Sequence, residues 1–226
     1  MRTLYHWPLD PASRQARIAL SEAKVSFKPE LVNPWAPEDA FLATVPEAVP
    51  PALIEQTPSG GIAVIAGARA ITEYAHDGAA RVQLLPPEPL ERAEARRLCD
   101  WFDTKFAAEA ESYIFHEKIE KAMTRQGRPD TQVLRAGREG LGHHLDYLEH
   151  LLEARDWFAG RRMSLADIAA GAHISCLDFL GEIRWRDRKV LKGWYQKFKS
   201  RPSVQPLLKD RVPGIYAPGW YDDLDF

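Results

Sequence analysis

The pattern of apolar and polar positions changes character near residue 80. Before that point, short apolar runs of strand length alternate with helical patterns. "RTLYHW" at residues 2–7 predicts a strand. "DPASRQARIALSEA" predicts a helix, with Pro11 at a first turn after Asp10 and apolar positions at Ala16, Ile18, Ala19 and Ala23. "SFKPELV" predicts a second strand. Residues 33–48, rich in Pro, Glu and Asp, predict a loop with a short helix. "PALIEQ" and "GIAVIAG" around "TPSGG" predict a hairpin, and "ARAITEYAHDG" a helix ended by Gly78. Strand, helix, strand, short helix, hairpin and helix make an α/β unit on one mixed sheet.

"LLPPEPLERAEARR" follows, a stiff three-proline linker running into a helix start. Everything beyond it has helical period. "ERAEARRLCDWFDTKFAAEAESYIFHEKIEKAM" predicts one long helix or two with a kink, and "RQGRPD" breaks it. "TQVLRAGREGLGHHLDYLEHLLEA" predicts a second, despite three glycines that each cost about 1 kcal/mol against Ala. In "MSLADIAAGAHI", Ser164 and Asp167 have the spacing of a capping box, and Met163 and Ile168 that of a hydrophobic staple. Ser164 and Asp167 are therefore assigned a structural role at a buried helix start. The plan is an α/β domain over residues 1–78, a linker over 79–90, an all-helical domain over 91–208 and an extended C-terminal tail over 209–226, without internal repeats.

Composition narrows the function classes. The 226 residues are 45% hydrophobic and include seven tryptophans, which fits a globular chain with a sizeable core. A net charge of −2 without a Lys/Arg block argues against nucleic acid. The first ten residues lack the apolar core of a signal peptide, and no apolar run is long enough to span a bilayer; a cytoplasmic protein without membrane insertion is expected. Cys99 and Cys176 lie far apart without CxxC spacing and read as buried thiols of a reducing compartment. His143, His144, Asp146, Glu149 and His150 cluster in sequence, but no metal is expected, because His143 and His144 diverge by about 100° on a helix and His144 to His150 is not one turn.

The linker, "FAGRRMSLADI", "WYQKFKSRPSV", "SRQARIAL" and "ARAITEY" together resemble the cytosolic glutathione S-transferase superfamily, from Thr3 to about Leu208. The resemblance implies a thioredoxin-like N-terminal domain, an all-α C-terminal domain and a homodimer. It also implies three glutathione-binding elements. The first is a catalytic hydroxyl or thiol at the start of the first helix. Aligned on "RIAL", the family's S-S-C-S is here Asp10, Pro11, Ala12 and Ser13. Asp10 is an acceptor that would oppose a thiolate, and Ser13 is displaced from the catalytic place. Tyr5 is the alternative hydroxyl, and packing is the competing role for it.

The second element is N-P-x-G-x-V-P-x-L, here "VPEAVPPAL". Pro51 takes the place of the family's cis-proline. Pro50 takes that of a residue whose N–H and C=O both pair with glutathione, and it can offer only the C=O. The third is E-S-x-A-I, whose acid and serine hold the γ-glutamyl end; here they are Gly67 and Ala68. With the ligand half of all three elements replaced, neither a catalytic residue nor a glutathione cofactor is expected, and the fold is read as a binding surface.

Candidate partner contacts are Trp35 in its Pro-rich loop, with capping of the sheet edge the competing role; the cations Lys118, Lys121, Arg125, Arg135 and Arg138; and the tail residues Trp220, Tyr221, Asp222, Asp223, Asp225 and Phe226. For the tail, two readings stand together. Trp220 and Tyr221 fold it back over the domain, or Trp220 anchors it and the aspartates and Phe226 are exposed for recognition. Removing residues 217–226 is expected to leave folding and dimerisation intact, and a collapse in thermal stability would mark the tail as structural packing instead. "LYHWPLDPASRQARIAL", the doubled proline and "PGWYDDLDF" further resemble an FtsZ-localised branch of the family. That implies a protein binding FtsZ filaments at the division site, with a further division protein as a possible ligand of the tail. The alternatives are a divergent glutathione-dependent transferase and a regulator that binds some other protein.

Overall fold

The structure is a computed structural model that describes residues 2–57, 59–79 and 82–226. Pro58 of the expected turn, and Ala80 and Arg81 of the expected linker, lie outside the described residues. The chain divides into two compact units, one ending at Leu84 and the other starting at Leu85.

In the first unit, β1 (Arg2–His6) leads into α1 (Pro11–Glu22), then β2 (Lys28–Leu31), α2 (Asp39–Thr44), β3 (Ala52–Gln56), β4 (Ile62–Ala66) and α3 (Ala68–Gly78). The sheet order is β2-β1-β3-β4, with β1 and β2 parallel and the other pairs antiparallel. Parallel pairing needs a crossover, and α1 supplies it. Asp10 starts α1 by accepting the Ser13 N–H at 2.8 Å, and Pro11 occupies the first turn, where its missing donor costs nothing. The hairpin of β3 and β4 pairs Ala52 with Ala66 and Gln56 with Ile62. Arg2, Glu55 and Tyr74 join β1, β3 and α3 through charge-assisted hydrogen bonds, and the Arg2–Glu55 contact is 2.7 Å.

The second unit starts with one continuous helix, α4, over residues 89–124. Its turns widen to π-helical geometry over Phe102–Glu111 and again over His116–Glu120. After a break at residues 125–130, α5 (Thr131–Glu153) runs back along α4; Asp130 caps it by accepting the N–H groups of Gln132 and Val133. Two of the three α5 glycines are explained by this approach. A Cβ on Gly140 would lie 2.1 Å from the Glu109 carbonyl oxygen, and one on Gly137 would lie 2.7 Å from the Tyr113 Cβ. Helix α6 (Leu165–Phe179) is buried at every residue, so it forms the centre of this unit. Helix α7 (Lys189–Lys199) packs Phe198 where Gly171 of α6 leaves room, and α8 (Gln205–Leu208) closes the helical part.

Candidate functional site

The sheet register assembles the first candidate site. Tyr5 pairs with Ala52 and Ala52 with Ala66, so the end of β1, the start of β3 and the end of β4 share one edge. Helices α1 and α3 both begin from that edge and pack against each other. Asp10, Ser13, Pro50, Pro51, Gly67 and Ala68 are thereby brought together. Two helix N-termini opening at one sheet edge would suit an anionic ligand.

What these residues do locally is mostly structural. The Ser13 side chain is fully buried, and its Oγ accepts the Trp7 backbone N–H at 3.0 Å. The Asp10 carboxylate is engaged as the α1 cap. The Pro50–Pro51 peptide bond is cis, and the Pro51 carbonyl accepts the Gly67 N–H at 2.9 Å. Gly67 has φ +84°, a conformation in which any side chain is strained, and Ala68 starts α3 without an oxygen to offer. Tyr5 sits at the margin of a cluster of Val32, Phe41, Val45 and Ala52, with its ring edge-on to Phe41 at 5.3 Å. Trp35 is half-buried and meets Trp7 edge-on at 5.7 Å, so at least one of its ring contacts is internal.

The cations expected to form a partner surface are not a uniform patch. Glu182, whose side chain is only 2% exposed, binds Lys118 at 2.5 Å and takes both Nε and Nη2 of Arg138, at 2.7 and 3.0 Å. These two cations hold the Glu182 carboxyl below its usual range despite its burial. Lys121 is paired at 2.6 Å with Glu117, a carboxylate that also accepts the Asp130 N–H. So Lys118, Lys121 and Arg138 serve internal pairs, because buried carboxylates need compensating charge. Arg125 and Arg135 remain exposed, Arg125 as the left-handed cap that ends α4.

The tail also differs from its expected form. Tyr221, offered as a partner contact, is 1% exposed and packs edge-on to Phe179 at 5.0 Å; it is the anchor. Trp220 is 43% exposed, tethered through its indole N–H to Asp178 at 3.3 Å. Phe226 folds back edge-on to Trp185 at 5.1 Å, with the Lys199 ammonium over its ring at 4.1 Å. Lys199 is buried and donates to the Asp223 carbonyl at 2.7 Å. Burial pushes its pKa below the usual lysine range, against the pull of Asp178, Asp223 and Asp222. Asp222, Asp223 and Asp225 are exposed. The order of apolar residues did not reveal which aromatic would be the anchor; the cage around Lys199 decides it.

Ser164 and Asp167 form the capping box. Asp167 Oδ2 accepts the Ser164 N–H at 2.9 Å, and Oδ1 accepts the Phe158 N–H at 2.9 Å and the Trp194 indole N–H at 3.0 Å. Burial pushes the Asp167 carboxyl up to about 6, although these donors favour its charged form.

One cluster escaped the sequence reading. His173 of α6 lies between two carboxylates of the first π-helical segment: Nδ1 contacts Glu111 at 2.6 Å and Nε2 contacts Asp103 at 3.2 Å. Its ring stacks on Phe102. Burial works against the imidazolium, but the Glu111 charge and the bonds to Asp103 and Glu111 prevail and raise its pKa to about 10. A lone histidine in an alanine-rich helix carries no local signal of such partners, which lie more than sixty residues away.

His144 contacts Glu109 at 3.0 Å, and Asp146 and Glu149 face Arg188. Among the described residues, no group of three or more His, Cys, Asp or Glu could hold a metal ion, and no helix is long and apolar enough to cross a membrane.

The family model "Glutathione S-transferase, N-terminal domain" matches residues 4–81, and "Glutathione S-transferase, C-terminal domain" matches residues 113–202. The chain is 49% identical over 225 residues to FtsZ-localized protein A of Caulobacter vibrioides, covering 100% of this chain and 98% of that one. Among solved structures, FzlA from C. crescentus superposes with a TM-score of 0.96 at 49% identity, covering 100% and 99% of the two chains. A glutathione S-transferase from Rhodospirillum rubrum F11 superposes with a TM-score of 0.93 at 38% identity, covering both chains completely.

Proposed function

The chain belongs to the glutathione S-transferase family, and from that premise we propose that it is a non-enzymatic binding protein that engages FtsZ filaments in bacterial cell division. The observation that carries this reading is the 49% identity, over the full chain, to a relative named for its localisation with FtsZ.

The site at the sheet edge supports it. A transferase of this family needs a hydroxyl or thiol that can reach the glutathione sulfur, and the Ser13 hydroxyl is fully buried. Pro50 has no N–H to donate, and Gly67 and Ala68 have no side-chain oxygen for a γ-glutamyl group. Each missing hydrogen bond weakens a ligand by roughly 0.5–1.5 kcal/mol, and their joint loss leaves glutathione poorly held. The protein works in this reading in the cytoplasm at the division site, without a cofactor. It is a homodimer, consistent with the apolar Ile62 and Val64 exposed on edge strand β4 and Leu90 and Tyr113 exposed in the second unit. The exposed Asp222, Asp223 and Asp225 suit a contact with a further division protein.

The test is co-sedimentation with FtsZ polymers, with filament shape followed by electron microscopy. The expected result is retention in the pellet and altered filaments; a protein that stays in the supernatant and leaves filaments unchanged rules the division role out. A second reading, a divergent glutathione-dependent transferase, is favoured by the 38% identity to the Rhodospirillum enzyme. Retention on immobilised glutathione, together with conjugation of an electrophile that Tyr5→Phe abolishes, would establish that reading instead.

A further inference from the structure

The third glycine of α5 points to a surface that neither the family fold nor the FtsZ reading explains. Gly137 and Gly140 are required by the close approach of α4. Gly142 is not: a Cβ there would meet nothing within 4 Å. A glycine in a helix interior costs about 1 kcal/mol against alanine. Its φ is not in the left-handed region, so its backbone does not require glycine either. What Gly142 does is line a groove of about 840 Å³ between α5 and the loop after α6, within the second unit.

Charged and apolar side chains line this groove together. Leu141 and Leu145 are its apolar side chains, and four arginines, Arg135, Arg138, Arg184 and Arg188, share the lining with the carboxylates Glu139, Glu182 and Asp187. The arginines divide into two kinds. Arg138 is held by Glu182, and Arg188 by Asp146 and Glu149 with a further bond to the Gly142 carbonyl at 3.3 Å. Arg135 and Arg184 have no hydrogen bond or ion pair from their guanidinium groups among the described residues. They come from different elements, α5 and the loop after α6. A guanidinium presents a rigid fork of donors matched to a carboxylate, and here two such forks are unused on a pre-formed groove.

We propose that this groove docks an acidic segment of a partner protein, whose carboxylates pair with Arg135 and Arg184 while an apolar side chain rests over Gly142. Arg138 and Arg188 are neutralised by their own carboxylates, so the two unused guanidinium groups, Arg135 and Arg184, select the acidic character of the occupant, and the groove's size selects a segment, since one small anion would fill a fraction of it. The missing side chain at position 142 lets the occupant approach the helix closely. The proposal stands independently of FtsZ, because the occupant is defined by its chemistry.

The test uses the full-length protein and a fluorescein-labelled peptide of repeating Glu-Leu-Asp, followed by fluorescence anisotropy. The control is the same peptide with Gln and Asn replacing the acids. The acidic peptide is expected to bind and the amide peptide not to. Gly142→Leu, which fills the groove, and the double variant Arg135→Ala with Arg184→Ala should each weaken binding at least about tenfold, the size expected for losing a charged hydrogen bond. Gly142→Leu should do so with an unchanged or raised melting temperature, since leucine is the better helix former. No binding of the acidic peptide overturns the proposal, as does binding that Gly142→Leu leaves intact. Displacement of the peptide by millimolar inorganic phosphate at constant ionic strength also overturns it, by reducing the groove to a simple anion site.

Discussion

The Ser13 hydroxyl oxygen accepts the backbone N–H of Trp7 at 3.0 Å inside a fully buried pocket. It ties the start of α1 to the residue just after β1. Ser13→Ala removes that acceptor and leaves the Trp7 N–H unpaired, a loss of about 1–3 kcal/mol. In a chain of this size, each kcal/mol lowers the melting temperature by about 2–4 °C. Calorimetry should therefore show a clear fall, with any thiol chemistry unaffected. A Ser13→Ala protein that melts like the parent and loses glutathione conjugation would make this hydroxyl catalytic.

The fold was legible in the chain wherever the signal is local. The change from strand-length runs to helical period marks the two kinds of architecture, and the Ser164–Asp167 spacing became a capping box with both bonds made. The α5 glycines were legible only as a cost, because their cause is a backbone in another helix. Charge was the least legible. Lys118 and Arg138 look like a surface patch in sequence, yet both answer to Glu182, 64 and 44 residues away, and nothing local to any of the three encodes the pairing. The sheet-edge site was legible through resemblance, motif by motif. The burial of Ser13 and the Tyr5 contact with Phe41 follow from tertiary packing.

The His173–Glu111 pair makes a pH prediction. The folded imidazole holds its proton up to about pH 10, whereas an unfolded histidine releases it near 6.5. Because the folded pKa is the higher, the pair's contribution is complete below about pH 6.5 and is lost as pH rises through about 10. Nitrogen NMR should show His173 as imidazolium at pH 8. Glu111→Gln, which leaves the imidazolium without its nearest charge, should cost about 3–5 kcal/mol at neutral pH and bring the His173 titration down. A neutral imidazole at pH 8 in the parent protein would defeat the prediction.

Asp167 joins the start of α6 to the Phe158 backbone and the Trp194 indole, using both carboxylate oxygens as acceptors. Asn offers one oxygen and one NH₂, so Asp167→Asn must turn a donor toward another donor on one side. It should destabilise by about 1–3 kcal/mol, and Asp167→Ala, which abandons all the acceptors, by more. Chemical denaturation of the two variants checks the order. A stabilised Asp167→Asn would show that relief of the buried charge outweighs the bonds, since burial raises this carboxyl to about 6.

Deleting residues 217–226 separates a packed tail from an exposed one. Tyr221 is buried against Phe179, and Lys199 uses the Asp223 carbonyl and the Phe226 ring as its roof. The deletion therefore uncovers apolar surface on α6 and leaves a buried ammonium short of a partner. Losing a buried aromatic alone costs about 3–5 kcal/mol, which corresponds to a fall of roughly 6–20 °C in melting temperature. Replacing Asp222 and Asp225 by Asn touches exposed carboxylates, of which Asp222 adds only the last and solvent-screened part of the pull on Lys199, and should leave the melting temperature within about 1–2 °C, as surface substitutions usually do. If those two replacements weaken a partner contact while the fold holds, the tail's recognition function and its packing function belong to different side chains: the exposed carboxylates in the first case, Tyr221 and Phe226 in the second. A deletion that melts like the full chain would instead mean that Tyr221 contributes little to the core it occupies.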